Sequence, residues 1–164
     1  MGRDPLRWAK FFAVVKHGNQ TYSGCLPYSH HLAAVEAVLR RFGVDMQGFL
    51  EAAWLHDVVE DTNTKLKEIY EFFGDEVAEL VGAVTNEPGP NRKIRSMLTY
   101  PKIRAVKGAT RLKLADRIAN VEQGGKLVDM YRKEYEDFRR NLFVTGENED
   151  MWKHLDGLMA KEQE

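Results

Sequence analysis

The chain has 164 residues, 43% of them hydrophobic, which is enough to build one buried core. Its 24 basic and 25 acidic side chains leave a formal net charge of −1, so no global field draws it to nucleic acid or to an anionic membrane. The single cysteine, Cys25, excludes an internal disulfide framework and fits a reducing, cytoplasmic setting. The opening "MGRDPLRWAKFF" lacks the apolar run of a signal peptide, and no segment approaches the ~20 apolar residues that span a bilayer. A soluble protein with neither a membrane nor a nucleic-acid partner is the expectation.

In chain order, "PLRWAKFFAVVKH" carries Pro5 at a first helical position and apolar residues at three- and four-residue spacing. "HLAAVEAVLRRFG" repeats the pattern and ends in basic residues followed by Gly43, a helix stop. "MQGFLEAAWLHDVVED" continues it as one helix, then "TKLKEIYEFFG" and "DEVAELVGAVT". Turns fall at "HGNQTYSGCLP", "NEPGPN" and "GG". "ATRLKLADRIANVEQGG", "LVDMYRKEYEDFRRNLF" and "EDMWKHLDGLM" complete the helical series. No alternating run supports a strand and no internal repeat appears, so the expected fold is all-α, one domain over residues 1–164. From Pro88 to Ala115 the charged residues are all basic, Arg92, Lys93, Arg95, Lys102, Arg104, Lys107, Arg111 and Lys113. In a neutral chain that separation points to an anionic ligand, although a solvated basic face has the same composition. No groove-reading motif accompanies the charge, which argues against a duplex.

The chemistry concentrates in "EAAWLHDVVEDT", where His56, Asp57, Glu60 and Asp61 interrupt an apolar helix. Burying such groups costs several kcal/mol unless they are paired or coordinated. On an unbroken helix His56 lies above Glu60 and Asp57 above Asp61, so all four share one arc. An imidazole and a carboxylate there suit a divalent cation, and the two later carboxylates are placed to orient or deprotonate an attacking water. "PYSHHLAAV" offers His30 and His31 as further ligands, and "KLADRIAN" offers Asp116 with Asn120 one turn on. Two imidazoles and two carboxylates suit Mn²⁺, Fe²⁺ or Zn²⁺ better than a closed structural zinc site would. Each residue alone also has an ordinary reading as a cap, a surface acid or, for Asp116, a partner of Arg117.

These segments together resemble the HD-domain hydrolases of the RelA/SpoT type, including their small stand-alone versions. That family carries "PYxxHPxxVA", "AALLHDVVEDT" and "KLADRxxN", and the resemblance runs from about Phe11 to Val121. It implies an all-helical HD-domain bundle, with the C-terminal helices of 126–160 packing on it. It implies a manganese-dependent 3′-pyrophosphohydrolase that converts ppGpp to GDP and pyrophosphate through a metal-activated water. Residue by residue, it implies metal binding by His31, His56, Asp57 and Asp116. Glu60 and Asp61 match the catalytic pair, which at this spacing is expected to titrate as coupled groups. Asn120 matches a residue that contacts the nucleotide sugar, and Tyr135 falls near a family tyrosine that approaches the substrate. Counting from Pro27 aligns His31, not His30, with the ligand. Arg92, Lys93 and Arg95 are unranked candidates for neutralising the pyrophosphate.

Two departures stand out. Leu32 replaces the proline that follows the ligand histidine. In "HGNQTYSG", Tyr22 stands where the family has an arginine that stacks on the guanine base. A neutral ring stacks on any base with little discrimination, so looser purine specificity is expected, with Tyr22 as the stacking surface. No synthetase-like extension accompanies the motifs, so degradation alone is expected. The rival activity is hydrolysis of another nucleotide, NADPH or a (deoxy)nucleotide. The rival class is a catalytically silent nucleotide sensor, against which the retained Glu60 and Asp61 argue.

Overall fold

The computed structural model describes residues 4–160; the outermost residues of the expected 1–164 domain, 1–3 and 161–164, lie outside the described residues. Helix α1 (Pro5–His17) begins where the Asp4 carboxylate accepts from the amides of Leu6 and Arg7, with Pro5 in the first turn. It stops at Gly18, whose φ of 53° ends the helix. A hairpin follows, β1 (Thr21–Tyr22) antiparallel to β2 (Leu26–Pro27), with Tyr22 paired to Leu26. Then come α2 (Ser29–Arg41), α3 (Gln47–Leu55), α4 (Val58–Asp61), α5 (Leu66–Phe73) and α6 (Asp75–Val84). The chain ends with α7 (Arg92–Ala105), α8 (Ala109–Gln123), α9 (Val128–Leu142) and α10 (Glu149–Ala160). The fold is all-α as expected. The hairpin departs from that expectation because two residues per strand are too few to show alternation.

Helices α2, α3 and α8 pack against one another at the centre. Leu32, Val35 and Leu39 from α2, Ala52, Ala53 and Leu55 from α3, and Leu112, Ala115 and Ile118 from α8 are all fully buried. The alanines leave room for the backbones to approach, and burial of the larger side chains contributes roughly 1.5–3 kcal/mol each. Around this trio, α1 and α6 cover α3, while α9 and α10 cover α8. Phe138, Leu142, Met151, Trp152 and Leu155 bury themselves in that last layer. None of the described helices is long and apolar enough to cross a membrane.

Two expectations need correction. The segment 92–105, left unassigned by its basic content, is helix α7, capped by Asn91 through the amide of Ile94. Its buried face is only Thr99, Tyr100 and Ile103, and Pro101 sits inside it, so periodicity there is weak. The second correction concerns the segment 47–61, which is not one helix. The His56 ring nitrogen Nδ1 lies 2.7 Å from the Ala53 carbonyl, the acceptor that the Asp57 amide would use in an unbroken helix. Helix α3 therefore ends at Leu55 and α4 starts at Val58.

Gly108 opens α8 with φ 86°, and a Cβ there would stand 2.2 Å from Phe49 Cζ. Gly108→Ala combines a left-handed conformation of ~1–2 kcal/mol with an overpacked ring of ~1–3 kcal/mol. The expected result is a lowered urea midpoint with unchanged slope; a midpoint equal to wild type would show that neither the left-handed backbone nor the Phe49 contact is costly there.

Candidate metal centre and its cleft

The break between α3 and α4 does what a continuous helix cannot. Adjacent helical positions point about 100° apart and do not face each other. Here His56 Nε2 and Asp57 Oδ2 meet at 3.0 Å. The first turn of α2 brings His31 Nε2 to 3.3 Å from His56 Nε2 and 3.5 Å from Asp57 Oδ2. Helix α8 adds Asp116 Oδ1, 3.2 Å from His31 Nε2 and 3.5 Å from His56 Nε2. His31, His56 and Asp116 are buried, and their donor atoms all lie within 4.8 Å of one another.

The surroundings fit a divalent cation at that point. His56 donates its Nδ1 proton to the Ala53 carbonyl, so its Nε2 faces the cluster, where a bound cation would take the place of a proton. Burial opposes charge on His56, but Asp57 and Asp116 outweigh it and raise the imidazole well above its usual value. Burial likewise pushes the Asp116 carboxyl up, and Lys113, His31 and His56 more than reverse it. Lys113 Nζ is 2.9 Å from Asp116 Oδ2, leaving Oδ1 for the cluster. Two nitrogen and two carboxylate donors form a borderline-hard set.

The cluster lies against a cleft of ≈ 790 Å³, large enough for a nucleotide. Glu60 and Asp61 line it, as do Arg92, Lys113, Arg117 and Lys126. Glu60 accepts from the backbone and side-chain nitrogens of Asn86 at 3.1 and 2.8 Å. Asp61 Oδ2 lies 3.0 Å from the Tyr28 hydroxyl, which also donates to Asp57 Oδ2 at 2.6 Å. Partial burial and then the Asp57 charge push the Asp61 carboxyl up, ahead of the smaller effect of Glu60. The expected Glu60–Asp61 coupling is thus overshadowed by Asp57–Asp61, because Asn86 and Tyr28 hold the two acids separately.

The other candidates divide. His30 turns its Nε2 to Gln123 at 3.1 Å, away from the cluster that His31 joins. Asn120 lines the cleft and donates to Asp116 Oδ1 at 2.8 Å. Arg92 lines the cleft, held by Glu134 through Nε and, at 3.2 Å, through Nη2. Lys93 and Arg95 do not line it: Lys93 pairs with Asp137, and Arg95 reaches the Gly89 carbonyl. Tyr135 does not line it either, because its hydroxyl donates to Asp156 on α10; Tyr131, one turn earlier, does. Tyr22 lines the cleft, with its ring stacked on His31.

Sequence reasoning missed roles for Tyr28, Lys113, Asn86 and Tyr131. Tyr28 and Lys113 stood inside the motifs "PYSHH" and "KLAD", where their nearness to the ligands was the available signal.

An all-helical bundle whose central helices bring two histidines and two aspartates together beside a cleft lined by cations and acids defines a helical scaffold suited to a divalent metal. Residues 9–135 match the HD domain, and the chain belongs to that family, which with the His/Asp cluster implies a divalent metal. It is 40% identical over 115 residues to a guanosine-3′,5′-bis(diphosphate) 3′-pyrophosphohydrolase of Aquifex aeolicus (strain VF5), covering 68% of this chain and 16% of that one. A guanosine-3′,5′-bis(diphosphate) 3′-pyrophosphohydrolase MESH1 of Xenopus tropicalis is 36% identical over 116 residues, 67% of this chain and 64% of its own. The chain therefore spans less than two thirds of either relative. A solved structure described as a metazoan ortholog of SpoT that hydrolyzes ppGpp superposes with a TM-score of 0.80 at 26% identity, over 96% of this chain and 95% of that one.

Proposed function

We propose that this chain is a manganese-dependent hydrolase of ppGpp that releases pyrophosphate from the 3′ position, acting in the cytoplasm on a small-molecule nucleotide. The observation that carries the reading is the meeting of His31, His56, Asp57 and Asp116 beside a cleft lined by both acids and cations. The names of the relatives support the substrate. Those four residues would hold a divalent cation, which when bound would supply Lewis-acid polarisation of the phosphoryl oxygen and a more acidic attacking water. Glu60 and Asp61 take the water's proton and align its oxygen on the phosphorus carried by the 3′-oxygen. The bond between that phosphorus and the 3′-oxygen breaks, the 3′-oxygen takes up the proton that the carboxylates removed from the water, and pyrophosphate leaves. Arg92, Lys113 and Arg117 offset its negative charge. Asn120 contacts the sugar.

The test is a screen of ppGpp, NADPH and deoxynucleotides with Mn²⁺, reading pyrophosphate and inorganic phosphate separately. Pyrophosphate from ppGpp that disappears on chelation is the expected result. Phosphate from NADPH with none of the former would move the substrate to another nucleotide. Tight nucleotide binding without turnover of any of them would leave a sensor.

A further inference from the structure

We propose that Tyr22 is a positioning residue that braces His31 and Asp116 for the metal, and that it is not the surface on which the nucleotide base stacks. The proposal rests on the metal-site reading above. Metal-binding histidines are normally steered by a hydrogen bond to their second nitrogen. His56 has one, to the Ala53 carbonyl. His31 has none: its Nδ1 is buried without a hydrogen-bond partner. What holds the His31 ring instead is aromatic packing. Tyr22 stacks on it with centroids 4.8 Å apart and planes at 27°, and Tyr28 meets it edge-on at 5.8 Å. Stacking against one face and an edge contact restrict the rotation that the missing hydrogen bond would have restricted.

The hydroxyl of the same tyrosine reaches the second ligand through one intermediary. Tyr22 donates to Asn120 Oδ1 at 2.9 Å. Asn120 then donates through Nδ2 to Asp116 Oδ1 at 2.8 Å and to the Asp116 carbonyl at 3.0 Å. A flipped amide would set its oxygen against the Asp116 carboxylate, so the phenol and the carboxylate impose one orientation from opposite ends. With Lys113 on Oδ2, Asp116 is held on both oxygens. The β1–β2 hairpin supplies the reach, since its pairing fixes Tyr22 opposite Leu26. A ring face and the hydroxyl are thus both engaged by the cluster. The proposal sets this bracing role against the expected one as a base-stacking platform.

The experiment is Mn²⁺ titration by calorimetry on wild type, Tyr22→Phe and Tyr22→Ala, followed by kcat and KM. Partners that support metal ligands typically cost about 10–100-fold in affinity when removed. Tyr22→Ala should weaken Mn²⁺ binding by at least about tenfold, and Tyr22→Phe, which keeps the stack, should fall between it and wild type. In an Asn120→Ala background, Tyr22→Phe should add nothing to the loss, because the hydroxyl acts through that amide. Wild-type Mn²⁺ affinity in both variants with a raised KM would restore the base-stacking role and overturn the proposal. Fully additive losses in the double variant would overturn the Asn120 route. The titration needs no nucleotide, so an error in the substrate leaves it intact. A wild-type chain that binds no divalent cation overturns the metal centre itself.

Discussion

Asp57→Ala is expected to strip the bound divalent cation and to lower nucleotide hydrolysis by more than about 10²-fold, the upper figure for losing a mere supporting partner of a ligand. Asp57 is the acid closest to His56, at 3.0 Å, and it also lies 3.5 Å from His31. Burial pushes its carboxyl up, yet His56 and the hydrogen bonds from both histidines hold it well below the usual carboxylate range. It is therefore an anion at neutral pH, and its removal takes away half of the carboxylate charge facing a dication. It also frees the Tyr28 hydroxyl that it anchors at 2.6 Å. Elemental analysis of the purified variant reads the metal, and circular dichroism confirms that the helices persist. His30→Ala is the control. Its Nε2 contacts Gln123 and it is not among the converging donors, so metal content should stay at wild-type stoichiometry. An Asp57→Ala protein with full metal and full turnover would falsify the four-residue centre.

How far the sequence carried this arrangement depends on which physical rule each residue obeys. Helices α1 and α6 follow local rules: a cap or a starting glycine, apolar spacing and a clear stop, all within the segment. The pairing of Asp116 with Asn120 is equally local, since positions four apart on α8 share a face. The α3–α4 break is not, because it depends on a side chain taking a backbone carbonyl in competition with the helix. The unbroken helix assumed from the sequence put His56 above Glu60, whereas the structure puts His56 beside Asp57 and ties Glu60 to Asn86. Arg92, Lys93 and Arg95 could not be ranked because α7 was not recognised. At about 100° per residue the two part: Lys93 meets Asp137 of α9 outside the cleft, whereas Arg92 meets Glu134 of the same helix and lines the cleft. Tyr131 and Tyr135 share a helical face, and only packing of α10, which gives Asp156 to Tyr135, separates them. Tyr22 lay beyond any local rule: its partners His31 and Asn120 arrive from two different helices.

Glu60→Gln should lower turnover by about 10²-fold or more, the usual scale for loss of a general base, while the metal stays bound. The separation is possible because Glu60 is not among the donors that converge at the cluster; it stands at the cleft wall with its oxygens on Asn86. Glutamine preserves that anchorage. Its amide oxygen can accept from the Asn86 backbone N–H, and the Asn86 side chain can rotate its own oxygen toward the new NH₂. The shape is retained while the capacity to accept the water's proton is lost. Asp61→Asn gives the companion measurement. Asp61 shares the Tyr28 hydroxyl with Asp57, so its replacement reaches the metal through one phenol and should cost some affinity as well as rate. Turnover falling in both variants, with metal affinity falling only in Asp61→Asn, is the expected pattern. Metal content lost in proportion to turnover in Glu60→Gln would make Glu60 a ligand or a structural support, and would leave Asp61 as the sole candidate base.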